Sequence, residues 1–123
     1  MIIIYHNTRC SKSRSACDLV TNTLNVSGEP VVVVEYLENP LTVIELEELH
    51  RMLGGSVRDM IRDNEPEYDE LGLAAPELTD AALYKVIAEH PILLQRPIVT
   101  RDGRAVVGRP PEAVRALFES QLE

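Results

Sequence analysis

Apolar residues along this chain follow two rhythms. MIIIY at 1–5 and VVVV at 31–34 are short, unbroken and largely β-branched, whereas elsewhere the apolar positions return every three or four residues. The first run, bounded by Asn7, predicts a buried strand. From Ser11 the spacing of Ala16, Leu19, Val20, Thr23 and Leu24 predicts a helix that stops between Asn25 and Gly28. VVVVEYL, after Pro30, predicts a second strand, apolar nearly throughout as a central parallel strand is. Strand, helix and strand in that order predict a right-handed crossover unit.

The middle of the chain is helical in pattern. Thr42 followed by Glu45 is a capping box, after which Val43, Leu46, Leu49, His50 and Leu53 form one stripe that stops at Gly54-Gly55. A second helix is predicted from Ser56 to Asp63, and a third from Thr79-Asp80, carrying Leu83, Val86, Ile87 and His90 until Pro91 ends it. NEPEYDE at 64–70 reads as a solvated loop. Beyond Gln95 the β pattern returns: RPIVT and RAVVG flank Asp102-Gly103, a dipeptide typical of two-residue hairpin turns. Pro110-Pro111 opens a last helix with Val114, Leu117 and Leu122 inward, since proline suits a first helical turn. The order is β-α-β, a helical insertion at about 41–90, then β-β-α. We therefore expect a single α/β domain over 1–123 with the thioredoxin-like arrangement, in which Pro97 is the cis-proline candidate.

Composition narrows the class. The 123 residues, 45% hydrophobic and 26% charged, suit one globular domain with its own core. The apolar runs are too short to cross a bilayer and no secretory leader is visible, so a cytoplasmic protein with no membrane partner is expected. Two cysteines cannot build a disulfide framework, and with three scattered histidines they show no metal-ligand spacing. A net charge of −8 argues against nucleic acid as a partner. The charge is uneven, however: residues 1–17 hold Arg9, Lys12 and Arg14 with no acid, while 18–95 hold sixteen acids against four bases.

That basic start surrounds Cys10. It falls between the first strand and the first turn of the first helix, where unpaired backbone N–H groups converge and the helix dipole is positive. An ordinary thiol with pKa about 8.5 is only slightly ionised at neutral pH, and lowering it by two units, about 3 kcal/mol, makes the thiolate the major species. Arg9, Lys12 and Arg14 could add to that shift. Ser13 offers a hydroxyl donor where a dithiol motif has its second cysteine, giving Cys-x-x-Ser. The same loop suits an oxyanion. Because a thiolate repels an anion, distant arginines must assist, and Arg62, Arg96 and Arg109 are the candidates. Arg96 stands out because it precedes Pro97. Cys17, two turns along the helix and about 10 Å away, reads as a packing residue. His6 is either a hydrogen-bonded loop histidine or part of the site. His50 and His90 read as structural, and Arg14, Arg58, Arg101 and Arg104 as surface or ion-pair residues.

HNTRCSKSR at 6–14, YLENP at 36–40, SVRDMIRDNEPEYDELGL at 56–73, HPILLQRPIV at 90–99 and GRP at 108–110 together resemble the glutaredoxin-coupled arsenate reductase family, in order along nearly the whole chain. The resemblance implies that Cys10 attacks arsenate as the nucleophile, that His6 helps to lower its pKa, and that Arg62, Arg96 and Arg109 surround the oxyanion and its reduced product. It further implies no bound cofactor, with glutathione as co-substrate and glutaredoxin resolving the mixed disulfide as arsenite leaves. Three guanidiniums suit a dianion beside a thiolate, because each can donate in a fork. Thr8 stands where the family usually has proline, which predicts a less preorganised loop rather than a lost site. Two alternatives are a non-catalytic regulator that binds RNA polymerase, whose relatives carry a Cys-x-x-Cys pair that Ser13 breaks here, and a glutathione-dependent reductase of another small oxidant.

Overall fold

The computed structural model describes residues 1–118, so the expected inward position of Leu122 lies outside the described residues. Two compact units account for the described residues: one built from 1–36 together with 96–118, the other from Leu37–Gln95.

In the first unit, strand β1 (Ile2–His6) leads into helix α1 (Ser11–Leu19), and strand β2 (Val31–Glu35) returns parallel to β1, pairing Ile2 with Val31 and His6 with Glu35. Past Leu19 the helix widens into a π-helical turn over Val20–Leu24, closed by Asn25 N–H donating to the Val20 carbonyl at 3.0 Å. Ala16, Val20 and Leu24 keep the predicted inward stripe, while Thr23 is exposed. Ile2, Ile4 and His6 alternate inward along β1, as the twofold strand period requires.

VVVV is not a central strand. The sheet order places β2 at an edge, and Val32 and Val33 are 42% and 45% exposed. A continuous apolar run indicates strand but carries no information about which neighbours a strand acquires.

In the inserted unit, helix α2 (Val43–Leu53) starts with the predicted box, Glu45 N–H donating to Thr42 Oγ1 at 3.2 Å and Thr42 N–H to Glu45 Oε1 at 3.0 Å. The predicted Ser56–Asp63 helix is shorter than expected. Ser56 and Asp59 close a capping box around a 3₁₀ turn at Val57–Met60, after which Ile61 turns extended and bridges Leu94. The solvated loop predicted at 64–70 contains a short helix, α3 (Pro66–Glu70), with Pro66 in its first turn. Helix α4 (Asp80–Glu89) packs against α2, burying Leu83, Tyr84 and Ile87. His50 is structural as expected, joining the Tyr84 hydroxyl to the Gly55 carbonyl.

Back in the first unit, strands β3 (Ile98–Arg101) and β4 (Arg104–Val107) form the predicted hairpin. Asp102 at φ 52° and Gly103 at φ 75° both occupy the left-handed region that a two-residue turn of this hand demands. β3 pairs antiparallel with β1, completing the order β2-β1-β3-β4. The final segment, Pro111–Phe118, is a 3₁₀ helix; consecutive prolines remove the first donors, and Ala113 N–H bonds the Pro110 carbonyl. Its Val114, Leu117 and Phe118 close a core with Ile2, Ile4, Ala16, Val20, Leu24 and Val99. This β-α-β and β-β-α sheet, interrupted by a helical unit, is the thioredoxin-like α/β fold. Arg96-Pro97 is cis as anticipated, and Arg109-Pro110 is cis as well.

Candidate active site

The loop after β1 is built by Asn7. Its carbonyl accepts from Cys10 N–H at 3.0 Å and its Oδ1 accepts from Arg9 N–H at 2.9 Å, a turn that Asn makes readily. The proline expected in this loop is replaced by Thr8, whose carbonyl accepts from Arg14 Nη1 at 2.7 Å. Side-chain and backbone hydrogen bonds thus hold the loop where a proline ring would have restricted it.

Cys10 occupies the N-cap of α1 with extended backbone, φ −97° and ψ 120°, and is partly exposed. Burial by itself would raise its thiol pKa. The Ser13 backbone N–H, the Arg96 side chain and the Lys12 backbone N–H all favour the thiolate, and with the Arg96 charge they bring the net shift below the ordinary thiol value. The basic residues near Cys10 in sequence therefore act through the main chain more than through their charges: Lys12 contributes an amide, and the Arg14 guanidinium turns back to Thr8.

Ser13 is fully buried, and its hydroxyl is committed away from the sulfur. It accepts from Asn7 N–H at 3.0 Å and lies 2.6 Å from His6 Nδ1. Burial lowers the His6 pKa, Glu35 opposes this and Arg14 reinforces it, with a net decrease. His6 thus favours its neutral form, in which Nδ1 and the Ser13 hydroxyl share one hydrogen bond. The expectation that the Ser13 hydroxyl serves the thiolate gives way to a division of labour: the amide of Ser13 meets the sulfur, the hydroxyl anchors His6 and Asn7.

Arg96 reaches this site from the loop before β3. Arg109 supports it, Nη1 donating to the Arg96 carbonyl at 3.2 Å, while Gly108 N–H bonds the Pro97 carbonyl at 2.8 Å. A Cβ on Gly108 would come within 2.9 Å of Pro97 Cγ, 3.2 Å of Val114 Cγ1 and 3.4 Å of Ala16 Cβ. Only a hydrogen fits between that proline, α1 and the last helix. Of the residues singled out from sequence, His6, Cys10, Ser13, Arg96 and Arg109 thus belong to one unit and are linked by these contacts.

Arg62 lies in the inserted unit. Its N–H donates to the Leu93 carbonyl at 2.8 Å, next to the Ile61–Leu94 bridge, and its guanidinium is buried with Nε donating to Glu65 Oε1 at 3.1 Å. Cys17 packs against the core of the first unit, where burial and then Asp18 push its thiol up, the opposite of Cys10. Sequence reasoning overlooked Asn7, Gly108 and Glu65. The Asn in HNTRC was visible as a turn former; Gly108 depends on Pro97 and Ala16, distant in sequence, and Glu65 on a non-helical turn that brings it back to Arg62. Among the described residues no three His, Cys, Asp or Glu side chains are grouped to hold a metal ion, and no helix is long and apolar enough to cross a membrane.

Known proteins share this framework. An arsenate reductase of Neisseria meningitidis serogroup A is 46% identical over 118 residues, covering 95% of this chain and 97% of its own. YfgD of Escherichia coli K12 is 44% identical, covering 90% of this chain and 91% of its own. The solved structure of an arsenate reductase from Vibrio cholerae superposes with a TM-score of 0.87 at 44% identity, over 94% of this chain and 96% of that one. The profile of the ArsC family matches residues 5–117, from the end of β1 through Leu117. With the cysteine at the head of α1 and the sheet order both in place, this chain belongs to the ArsC family.

Proposed function

We propose that the chain is an arsenate reductase whose nucleophile is Cys10. The observation that carries this reading is the environment of the sulfur: two backbone N–H groups at a helix start and the Arg96 side chain outweigh the cost of burial, and the thiol pKa falls. A thiolate so held attacks arsenic(V) and displaces one oxygen as water, giving a Cys10 thiol–arsenate adduct. Arsenic is not yet reduced at that stage.

Two electrons then come from two thiols. Glutathione displaces a second oxygen of the adduct as water, a glutaredoxin thiol then takes the glutathionyl group and leaves its electron pair on arsenic, and one water hydrolyses the Cys10–arsenic(III) bond, so that arsenite leaves and the Cys10 thiol is restored. In total, one arsenate, one glutathione thiol and one glutaredoxin thiol give arsenite, water and a glutaredoxin–glutathione mixed disulfide. Arg62, Arg96 and Arg109 are assigned to the oxyanion, because guanidinium forks match its geometry and offset its charge beside the thiolate. His6 and Ser13 position the loop that presents the sulfur. No bound organic cofactor or metal enters this scheme. A cytoplasmic setting, where thiols stay reduced, suits it.

The family names of the relatives and the sulfur's surroundings support this reading over a polymerase-binding regulator, since the position that would carry a second thiol is Ser13, buried and hydrogen-bonded. The test is arsenate-dependent NADPH oxidation in the presence of glutathione, glutaredoxin and glutathione reductase. Activity is expected in the native chain and in Cys17→Ser, and none in Cys10→Ser. Undiminished turnover by Cys10→Ser would remove the mechanism; a native chain inert to arsenate but active on another oxidant would redirect the substrate.

A further inference from the structure

The turn between Ile61 and α3 places a carboxylate on Arg62. The backbone there is clamped: Arg62 N–H bonds the Leu93 carbonyl at 2.8 Å, and Gln95 N–H bonds the Met60 carbonyl at 2.7 Å. The guanidinium is therefore carried by a stiff piece of chain, with its side chain only 9% exposed. Glu65 accepts from its Nε at 3.1 Å. Residues 62–65 are not helical, so this contact is not a routine pair on a helix face. Glu65 is itself the N-cap of α3, yet its side chain makes no cap hydrogen bond, and its backbone is extended ahead of Pro66. The carboxylate is turned toward the arginine rather than used on its own helix.

We propose that Glu65 is an internal counter-anion that occupies Arg62 and sets how tightly the site takes a tetrahedral oxyanion. The proposal rests on the assignment of Arg62 to the oxyanion. A guanidinium this buried is costly without a compensating charge, so a nearby carboxylate supports the anion-free protein. The same carboxylate becomes a liability when a dianion arrives, because two like charges then share one guanidinium. Glu65 is partly exposed and the repulsion is screened, so we expect it to weaken oxyanion affinity by about tenfold relative to a neutral acceptor at the same place. Phosphate and arsenate, alike in shape and charge, are affected together.

Glu65→Gln keeps an acceptor for Nε and removes the charge. In the full-length protein the arsenate KM and the dissociation constant for inorganic phosphate, measured by calorimetry, are both expected to fall by about tenfold while kcat changes little. Phosphate should also raise the melting temperature of Glu65→Gln more than that of the native protein. Glu65→Asp, with a retracted carboxylate, should move the same quantities in the same direction by less, and it serves as the probe if the Gln variant does not fold. The Arg62→Gln/Glu65→Gln double variant should lose the gain. Unchanged or weaker anion binding in Glu65→Gln and Glu65→Asp overturns the proposal and leaves Glu65 an orienting group. If Arg62→Gln alone alters neither KM nor phosphate binding, the assignment of Arg62 has failed instead.

Discussion

Replacing Ser13 by alanine separates the two jobs this residue performs. The substitution deletes a hydroxyl that is fully buried, leaving Asn7 N–H without its 3.0 Å acceptor and His6 Nδ1 without its 2.6 Å partner. Each buried polar group so orphaned costs about 1–3 kcal/mol, offset in part by no longer burying a hydroxyl, so a net loss of about 2–4 kcal/mol is expected. For a chain of 123 residues that is a drop of about 8–15 °C in melting temperature. The backbone N–H of residue 13, which favours the Cys10 thiolate, survives the substitution. The midpoint of the Cys10 alkylation rate against pH should therefore stay below that of an ordinary thiol, in a Cys17→Ser background so that one thiol is read. Urea unfolding gives the stability and iodoacetamide kinetics the ionisation. A variant of native stability whose alkylation midpoint climbs to the ordinary thiol value would refute the argument, because the hydroxyl would then have been serving the sulfur.

Gly108→Ala should destabilise the fold by about 1–3 kcal/mol in urea, since its Cβ would stand 2.9 Å from Pro97 Cγ and press on Val114 and Ala16; it should also slow Cys10 alkylation by disturbing Arg96. Arg101→Met should cost about 3–5 kcal/mol, because the guanidinium is buried over the Phe118 ring, bonds the Leu117 carbonyl at 2.8 Å and pairs with Glu29. The Arg101 hydrogen bond holds the Glu29 carboxyl below its usual range, so its stabilisation is complete above the unfolded carboxylate pKa and fades as pH falls through the folded one; Arg101→Met should flatten that acid limb of the stability profile. His6, whose folded pKa is lowered by burial, binds fewer protons folded than unfolded near pH 6. Stability should thus be complete above about pH 6.5 and decline as pH drops toward the folded value, and His6→Gln should lose this dependence in pH-resolved thermal melts.

Local features of the fold were legible because their causes are local. The Thr42–Glu45 box, the Asp102-Gly103 turn and the β-branched run of β1 each follow from backbone sterics and a handful of neighbours, and each stands where the pattern puts it. The errors fall where distant residues compete. VVVV forms a strand but lies at the sheet edge, since β3 takes the other side of β1. The helix expected through Asp63 ends at Met60 because Ile61 finds Leu94, more than thirty positions away. Arg58, which by sequence alone reads as a surface or ion-pair residue, instead donates to the Leu73 and Ala75 carbonyls at 2.7 and 2.6 Å, bonds that no spacing announces.

The candidate site divides along the same line. From the amino-acid order alone one learns that a lone thiol begins a helix, that Ser stands three places beyond it, and that arginine precedes the proline of a returning strand. Those facts reside in the covalent chain and the geometry of one helical turn. Folding decides which face of each group is used: that Ser13 gives its amide to the sulfur and its hydroxyl to His6, that Arg96 reaches Cys10 across eighty-odd residues, and that Glu65 turns from its own helix to Arg62. A donor has several possible partners within reach along a chain, and only three-dimensional packing, by excluding water and all but a few neighbours, selects among them.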